Sequence, residues 1–129
     1  MSTSISQKPT TKAINVLGGP LENCSCNPIT GYLRDGFCNT TLDDYGTHVV
    51  CAIVSDEFLK YSLSKVNDLI TPKPEWDFPG LKNGDKWCLC VSRWKEAVIA
   101  NVGPKLDLSA TNYVALKYVS LELLKEYAI

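Results

Sequence analysis

Two short apolar stretches dominate the hydrophobic pattern of the chain, at residues 48–54 and 87–91. Each is largely apolar on both sets of alternating positions, and turn-forming residues precede each of them. A short apolar run between turns is typical of a strand, and apolar residues on both faces indicate that the strand is covered on both sides. The pattern therefore predicts two interior strands.

A helical pattern follows each of these strands. Ser55 can cap the first helix, because a Ser side chain accepts a hydrogen bond from a free N–H of the first turn. The inward face of this helix is predicted to comprise Leu59, Leu63 and Val66. Ser92 can cap a second helix over residues 93–102, which a Gly-Pro pair then ends.

The C-terminal part of the chain continues this order. Residues 105–108 alternate and predict a third core strand. One helix is predicted from Ser109 or Thr111 to Lys117, and a final one over residues 121–127. A single continuous C-terminal helix is the alternative, because nothing in this part of the sequence forbids it.

The repeated strand–helix order predicts the fold class. Right-handed crossovers between such units produce parallel neighbours, so we expect a small, mixed, mainly parallel central sheet of about three to five strands with three to four helices. An edge strand at residues 13–17 and a hairpin around Asp35-Gly36 would add antiparallel pieces. The prediction is thus an α+β protein.

A long proline-rich segment separates the two strong strands, at residues 67–86. Loops of this length inside a domain are uncommon and are usually lids or self-packed loops. Its aromatic residues, Trp76 and Phe78, favour packing over the domain. The sequence therefore predicts one globular domain over residues 13–129, preceded by a disordered lead-in at residues 1–12.

Composition narrows the function classes and the compartment. The net charge is −1, without a basic block, which argues against nucleic-acid binding. No apolar run approaches the roughly 20 residues that span a bilayer, and the polar start lacks the apolar segment of a secretory signal. We therefore expect a cytoplasmic protein without nucleic-acid or membrane partners. In that compartment its six cysteines should be reduced, so disulfides are the least expected use of them.

A metal centre is one hypothesis for the cysteines. Thiolates and imidazole are the ligands of tetrahedral zinc sites. The candidate ligands are Cys24, Cys38, Cys51, Cys88, Cys90 and His48. The chain has no Cys-x-x-Cys pair, however, and Cys88 and Cys90 stand two apart on one strand. The sequence accordingly predicts no metal or other cofactor, and it leaves buried structural cysteines as the simpler interpretation.

Thiol catalysis or redox sensing is a second hypothesis. Cys38 follows a predicted turn close to Arg34, where a thiol can be exposed and activated. His48 is the only histidine of the chain and could serve as its base. The alternative is that His48 begins a strand and only bonds a loop.

A binding module without chemistry is the third hypothesis and the one ranked first. Small-ligand sites tend to lie at strand ends under loops, and an arginine there can hold a carboxylate or phosphate. The candidate binding residues are Arg34, Asp35, Asn67, Asp68, Trp76, Arg93 and Trp94. The partner would be an unknown small molecule or protein, and an uncovered edge strand would permit a homodimer. A Cys/His enzyme, a redox-sensing thiol protein and a structural zinc protein remain alternatives.

Several short motifs resemble a bacterial family known as domain of unknown function 2237. They are Asn15-Val16-Leu17-Gly18, Thr30-Gly31, Arg34-Asp35-Gly36-Phe37-Cys38, Gly46-Thr47-His48-Val49-Val50-Cys51-Ala52, Glu57-Phe58-Leu59, Asn67-Asp68-Leu69, Thr71-Pro72, Phe78-Pro79-Gly80-Leu81, Gly84-Asp85-Lys86-Trp87-Cys88-Leu89-Cys90 and Arg93-Trp94-Lys95-Glu96-Ala97. The resemblance implies a bacterial, cytosolic protein of similar fold and brings no activity, substrate or cofactor. Cys26 lies outside the family pattern, and a His often stands at the position of Asn112, so a site that used this His would be altered here.

Overall fold

A three-stranded sheet forms the centre of the fold in the computed structural model, which describes residues 13–129. Its strands are β1 (His48–Ile53), β2 (Lys86–Cys90) and β3 (Lys105–Leu106). The α-helices among the described residues are α1 (Asp56–Ser64), α2 (Val91–Ile99) and α3 (Leu121–Glu126). Short 3₁₀ helices occupy Pro74–Trp76, Leu108–Ala110 and Tyr113–Lys117. The predicted lead-in at residues 1–12 lies outside the described residues.

All pairings in this sheet are antiparallel, so the predicted mainly parallel sheet is wrong. Strand β1 lies in the middle, with Val50 opposite Leu89 of β2 and Ala52 opposite Leu106 of β3. The backbone of Val54, just after β1, bonds to Asp85 and Gly84, just before β2. Helix α1 and the long loop are therefore an insertion between two strands of one wide hairpin. The alternation of apolar and polar side chains does not depend on strand direction. The sequence pattern therefore could not show that β2 runs antiparallel to β1.

Strand β1 contains an irregularity at its start. His48 lies opposite Cys90 and Val50 lies opposite Leu89, so Val49 has no residue of its own opposite it. The carbonyl of Val49 instead accepts the backbone N–H of Asn112. An extra residue of this kind bends a strand and redirects side chains, and such bulges are frequent next to functional sites.

The sheet is buried on both faces, as the two apolar stretches predicted. Four successive residues of β1, Val49 to Ala52, have no exposed surface. Trp94 of α2 is also fully buried, and its indole N–H donates to the carbonyl of Pro104 over 3.1 Å. The ring of Tyr127 packs against it edge-on, with 5.3 Å between the ring centroids.

The helices begin where local caps allow. Ser55 caps α1 as predicted, since its hydroxyl accepts the backbone N–H of Phe58. Helix α2 starts directly at the end of β2 with Cys90 as its N-cap, two residues earlier than predicted. The predicted inward face of α1 is partly wrong, because Leu63 and Val66 are exposed. A continuous C-terminal helix is also wrong, since a 3₁₀ helix and α3 are separate there.

The segment at residues 13–46 is irregular. The predicted edge strand is reduced to isolated bridges, Ile14 with Pro20 and Asn15 with Asn112. Asp35-Gly36 forms a turn without flanking strands, so the predicted hairpin is absent from the described residues. Residues 65–85 form a long loop that is partly packed, with Phe78 and Leu81 buried. Trp76 within this loop is 64% exposed, contrary to the predicted packing.

Two disulfides hold the irregular segment to the sheet, which corrects the expectation of reduced thiols. Cys24 is bonded to Cys51 of β1, and Cys38 is bonded to Cys88 of β2. The expectation failed because it rested on the compartment and not on the distances between residues far apart in sequence. Cys26 and Cys90 are free. None of the described helices is long and apolar enough to cross a membrane.

Candidate functional site

The side chains of His48 and Asp44 form a close pair at the start of β1. Nδ1 of the imidazole lies 2.6 Å from Oδ1 of the carboxylate, whose side chain is completely buried, while the His48 side chain is 40% exposed. Oδ2 of Asp44 accepts the backbone N–H of His48 and the hydroxyl of Thr40. A buried carboxylate thus fixes Nδ1 of a ring that is itself partly exposed to solvent.

The electrostatics of Asp44 determine which ring nitrogen of His48 is available. Burial raises the pKa of the Asp44 carboxyl, but the hydrogen bonds and charge of His48, with the Thr40 hydroxyl, outweigh it and hold that pKa below its ordinary value. An ionised carboxylate only accepts hydrogen bonds, so Nδ1 of His48 carries a proton. In a neutral ring Nε2 is then left as a hydrogen-bond acceptor.

The backbone around His48 restricts the ring further. A Cβ atom on Gly46 would collide with the imidazole, so only glycine lets the ring lie in this place. Thr47 has φ = 50°, a left-handed conformation that is strained for a β-branched residue. Its carbonyl accepts the backbone N–H groups of Val49 and Val91, which hold the strained turn between β1 and the start of α2. Strain of this kind is concentrated at functional sites.

Two adjoining clefts meet at His48. The first has a volume of about 160 Å³ and the second about 230 Å³. His48, Trp87 and Cys88 line both of them. The remaining lining residues of the first are Gly31, Tyr32 and Arg34. Those of the second are Gly46, Asn67, Leu69, Leu89, Cys90 and Arg93.

The charged groups that line these clefts are cationic. Arg34 lines the first cleft and Arg93 lines the second, and none of the described Asp or Glu residues lines either. The guanidinium of Arg34 donates to the carbonyls of Ile29 and Trp76 and lies over the Trp87 ring, 5.7 Å from its centroid. Among residues 13–129, the one charged partner of Arg93 is Glu96, at a long 3.4 Å.

A free thiol lies across the strand pair from His48. Cys90 is the direct partner of His48 in the β1–β2 register, and it is partly exposed. Both residues line the second cleft. The Cys90 sulfur contacts the Ser92 hydroxyl at 3.0 Å.

The sequence-predicted binding residues divide into two groups. Arg34, Asn67 and Arg93 line the clefts. The others do not line them: Asp35 and Asp68 accept backbone N–H groups within their own turns, Trp76 is exposed on the long loop, and Trp94 is in the core. Hydrogen bonds from Thr71 and Ile70 lower the pKa of Asp68, as expected for a carboxylate that closes a turn.

The thiol and metal-ligand candidates that the sequence predicted also lie in different places in the structure. Cys38 is fully buried and bonded to Cys88, so it is not the exposed thiol that the sequence predicted. Among the weak metal candidates, Cys24, Cys51 and Cys88 belong to one buried cluster, whereas Cys90 lies apart from it in the cleft. Asn112, where relatives of the resembled family often carry a His, donates to the Cys38 carbonyl and is buried.

A family model described as an uncharacterized protein conserved in bacteria, DUF2237, matches residues 14–128. The chain belongs to this family. The match confirms the resemblance that the short motifs indicated, and it includes all four cysteines of the two disulfides. A search of curated proteins found no significant match.

Sequence reasoning missed two members of this candidate site. Asp44 is not among the residues that the sequence singled out, although an acidic residue four positions before the only histidine was a usable signal. Cys90 was considered for metal binding but not as the partner of His48. The signal was missing because the antiparallel register that joins them depends on the chain returning after the long loop.

Proposed function

We propose that this DUF2237 chain is a small binding module that takes a low-molecular-weight anion in the paired clefts at His48. The observation that carries the proposal is the position of His48, fixed by a buried carboxylate and exposed where the two clefts meet. A preorganised polar group in a concave site is the usual mark of ligand binding.

The charge of the clefts supports an anionic ligand. A carboxylate or phosphate group between Arg34 and Arg93 would meet guanidinium donors, and His48 would add a third when protonated. The Asp44 carboxylate is buried behind the imidazole and its charge is compensated by hydrogen bonds, and Glu96, which contacts Arg93, lines neither cleft. A cationic ligand would lack any carboxylate partner in either cleft.

The size and walls of the clefts support a small ligand with a flat apolar part. Both volumes fall below the roughly 300–1,000 Å³ of sites for drug-sized molecules. Tyr32 is stacked on the His48 ring, with 6.5 Å between the centroids, and Trp87 adds a second aromatic wall. Aryl carboxylates and aryl phosphates match this combination of charge and apolar surface.

The test is a thermal-shift comparison of acetate, benzoate, inorganic phosphate and phenyl phosphate, with benzylamine as the cationic counterpart. We expect one or more anions to raise Tm, because a ligand that binds only the folded chain stabilises it. Arg93→Gln should raise the dissociation constant of that anion at least about tenfold, which is the loss of affinity expected when a hydrogen bond to a charged group is removed. Lys60→Gln removes the same charge from the exposed surface of α1 and should leave the dissociation constant unchanged. A shift with benzylamine alone would contradict the proposal.

Thiol chemistry on the bound ligand is the second candidate function, and the cross-strand pairing of His48 with Cys90 is the observation that favours it. In this scheme Nε2 of His48 accepts the thiol proton, Asp44 holds the ring, and the thiolate attacks an electrophilic carbon of the ligand. Cys–His–Asp sets of this kind support acyl transfer, in which the proton passes back to the leaving group.

Alkylation by iodoacetamide tests this second function. We expect His48→Ala to slow the modification of Cys90 at least about fivefold, because the thiolate is the reactive form and loses its base. Cys26, the other free and more exposed thiol, provides the control within the same chain and should keep its rate. Equal rates for Cys90 with and without His48, read by peptide mass spectrometry, would exclude His48 as its base.

A further inference from the structure

The two disulfides lie side by side and bring four sulfurs into one buried cluster. The Sγ atoms of Cys24, Cys38 and Cys88 all lie within 4.8 Å of one another, and Cys51 adds the sulfur bonded to Cys24. The clustering follows from the sheet, because Cys51 and Cys88 are direct partners on β1 and β2. Ala110 completes this cluster, which is separate from the main hydrophobic core.

We infer that the reduced form of this cluster is a tetrathiolate site for a single soft divalent cation, Zn²⁺ or a similar ion. A tetrahedral zinc centre has Zn–S distances of about 2.3 Å, which places its sulfurs about 3.8 Å apart. These three sulfurs already lie within 4.8 Å of one another, and reduction frees the bonded Cys38 and Cys88 sulfurs to separate to that spacing. Thiolate ligands select soft and borderline cations over Mg²⁺ or Ca²⁺.

The four backbone positions suit such a site. Cys51 and Cys88 are fixed in neighbouring strands, while Cys24 and Cys38 lie in the irregular segment that can adjust to an ion. Cys88 lines both clefts, which supplies a route from solvent to the buried sulfurs. Bound metal would also take over the structural task of the disulfides, by holding residues 24–38 to β1 and β2 when the thiols are reduced.

The redox steps balance with a dithiol and a disulfide as co-reactants. Two dithiol molecules reduce the two disulfides, giving four cysteine thiols and two molecules of oxidised dithiol. Zn²⁺ then binds the four sulfurs and releases four protons. In the reverse direction two molecules of a glutathione-type disulfide accept four electrons and four protons, re-form both protein disulfides and release Zn²⁺. The chain would therefore alternate between a metal-held and a disulfide-held state of the same fold.

Cobalt(II) titration of the untagged full chain provides the test, because cobalt bound by four thiolates has an intense charge-transfer spectrum and tetrahedral ligand-field bands. We expect one cobalt per chain in protein reduced by dithiothreitol and then freed of it without oxygen, and none in the disulfide form. Zinc should displace the cobalt. Cys24→Ser should weaken metal binding at least about a hundredfold. Cys26→Ser and Cys90→Ser, which remove the two cysteines outside the cluster, should leave it unchanged.

A second measurement on the wild-type chain does not depend on whether the Cys24 variant folds. Zinc should protect four cysteines of the reduced chain from alkylation, and mass spectrometry should identify them as Cys24, Cys38, Cys51 and Cys88. Cys26 and Cys90 should stay reactive. Reduced protein that binds no cobalt, equal binding by the disulfide form, or protection that includes Cys26 or Cys90 in place of a cluster member would overturn the inference. None of these readouts depends on the anion proposed for the clefts.

Discussion

Removing the Cys38–Cys88 disulfide is expected to lower the free energy of unfolding by about 4 kcal/mol in the absence of metal. The bond closes a sequence separation of 50 residues, and a longer loop gives up more chain entropy in the unfolded state. It also joins a segment without helix or strand to β2. For a single domain with a typical stability of about 5–15 kcal/mol, this is a large share of the total.

The measurement is urea unfolding of Cys38→Ala/Cys88→Ala in oxidising, metal-free buffer. Alanine avoids placing a new polar group in the buried cluster. Cys26→Ala is the matched control, because Cys26 is exposed and belongs to neither disulfide, and the stability of this variant should stay within about 0.5 kcal/mol of wild type. A double variant as stable as this control would show that the cross-link does not hold the segment.

Replacing Asp44 by alanine is expected to cost about 2–4 kcal/mol. The carboxylate is buried and accepts hydrogen bonds from the His48 backbone, the His48 ring and the Thr40 hydroxyl. Removing it leaves those donors without their acceptor, and an unpaired donor costs more than an average hydrogen bond contributes. Asp43→Ala is the control, because the neighbouring carboxylate is exposed.

The same carboxylate predicts a pH dependence. The pKa of Asp44 is held below its ordinary value of 3.8 in the folded chain. Its stabilising contribution is therefore complete above pH 3.8 and is lost as the pH falls through the lower folded pKa. The stability difference between wild type and Asp44→Asn, measured by urea unfolding, should accordingly shrink below pH 3.8. A difference that grows on acidification would mean that the carboxylate is not stabilised by its partners.

The sequence predicted the parts of the fold that depend on local pattern. The two apolar stretches became β1 and β2, Ser55 caps α1, and a strand follows α2 near residue 105. Direction and pairing were not predictable, because they depend on how residues 65–85 return the chain. The parallel sheet was predicted because strand–helix–strand units usually place their strands in parallel. Here the helix and the long loop are an insertion between two antiparallel hairpin strands, so that rule does not apply.

Some members of the candidate site were predictable from the sequence, but Asp44 and the grouping of the residues were not. His48, Arg34, Asn67 and Arg93 were all proposed from the sequence, and they line the two clefts. Cys38 was chosen over Cys90 as the thiol because it followed a turn beside an arginine. The disulfide pairing decided otherwise, and it depends on contacts between residues 50 positions apart. No local sequence pattern indicates that two residues so far apart in the chain are in contact.

The most direct test of the anion-binding proposal uses the fact that His48 is the only histidine of the chain. Its imidazole proton signals need no assignment in an NMR titration with benzoate, phenyl phosphate and inorganic phosphate. The proposal predicts a saturable shift of these signals with at least one anion in wild type, and its loss in Arg93→Gln but not in Lys60→Gln. Signals that stay unchanged up to high concentrations of every anion would contradict the assignment of the clefts as an anion site.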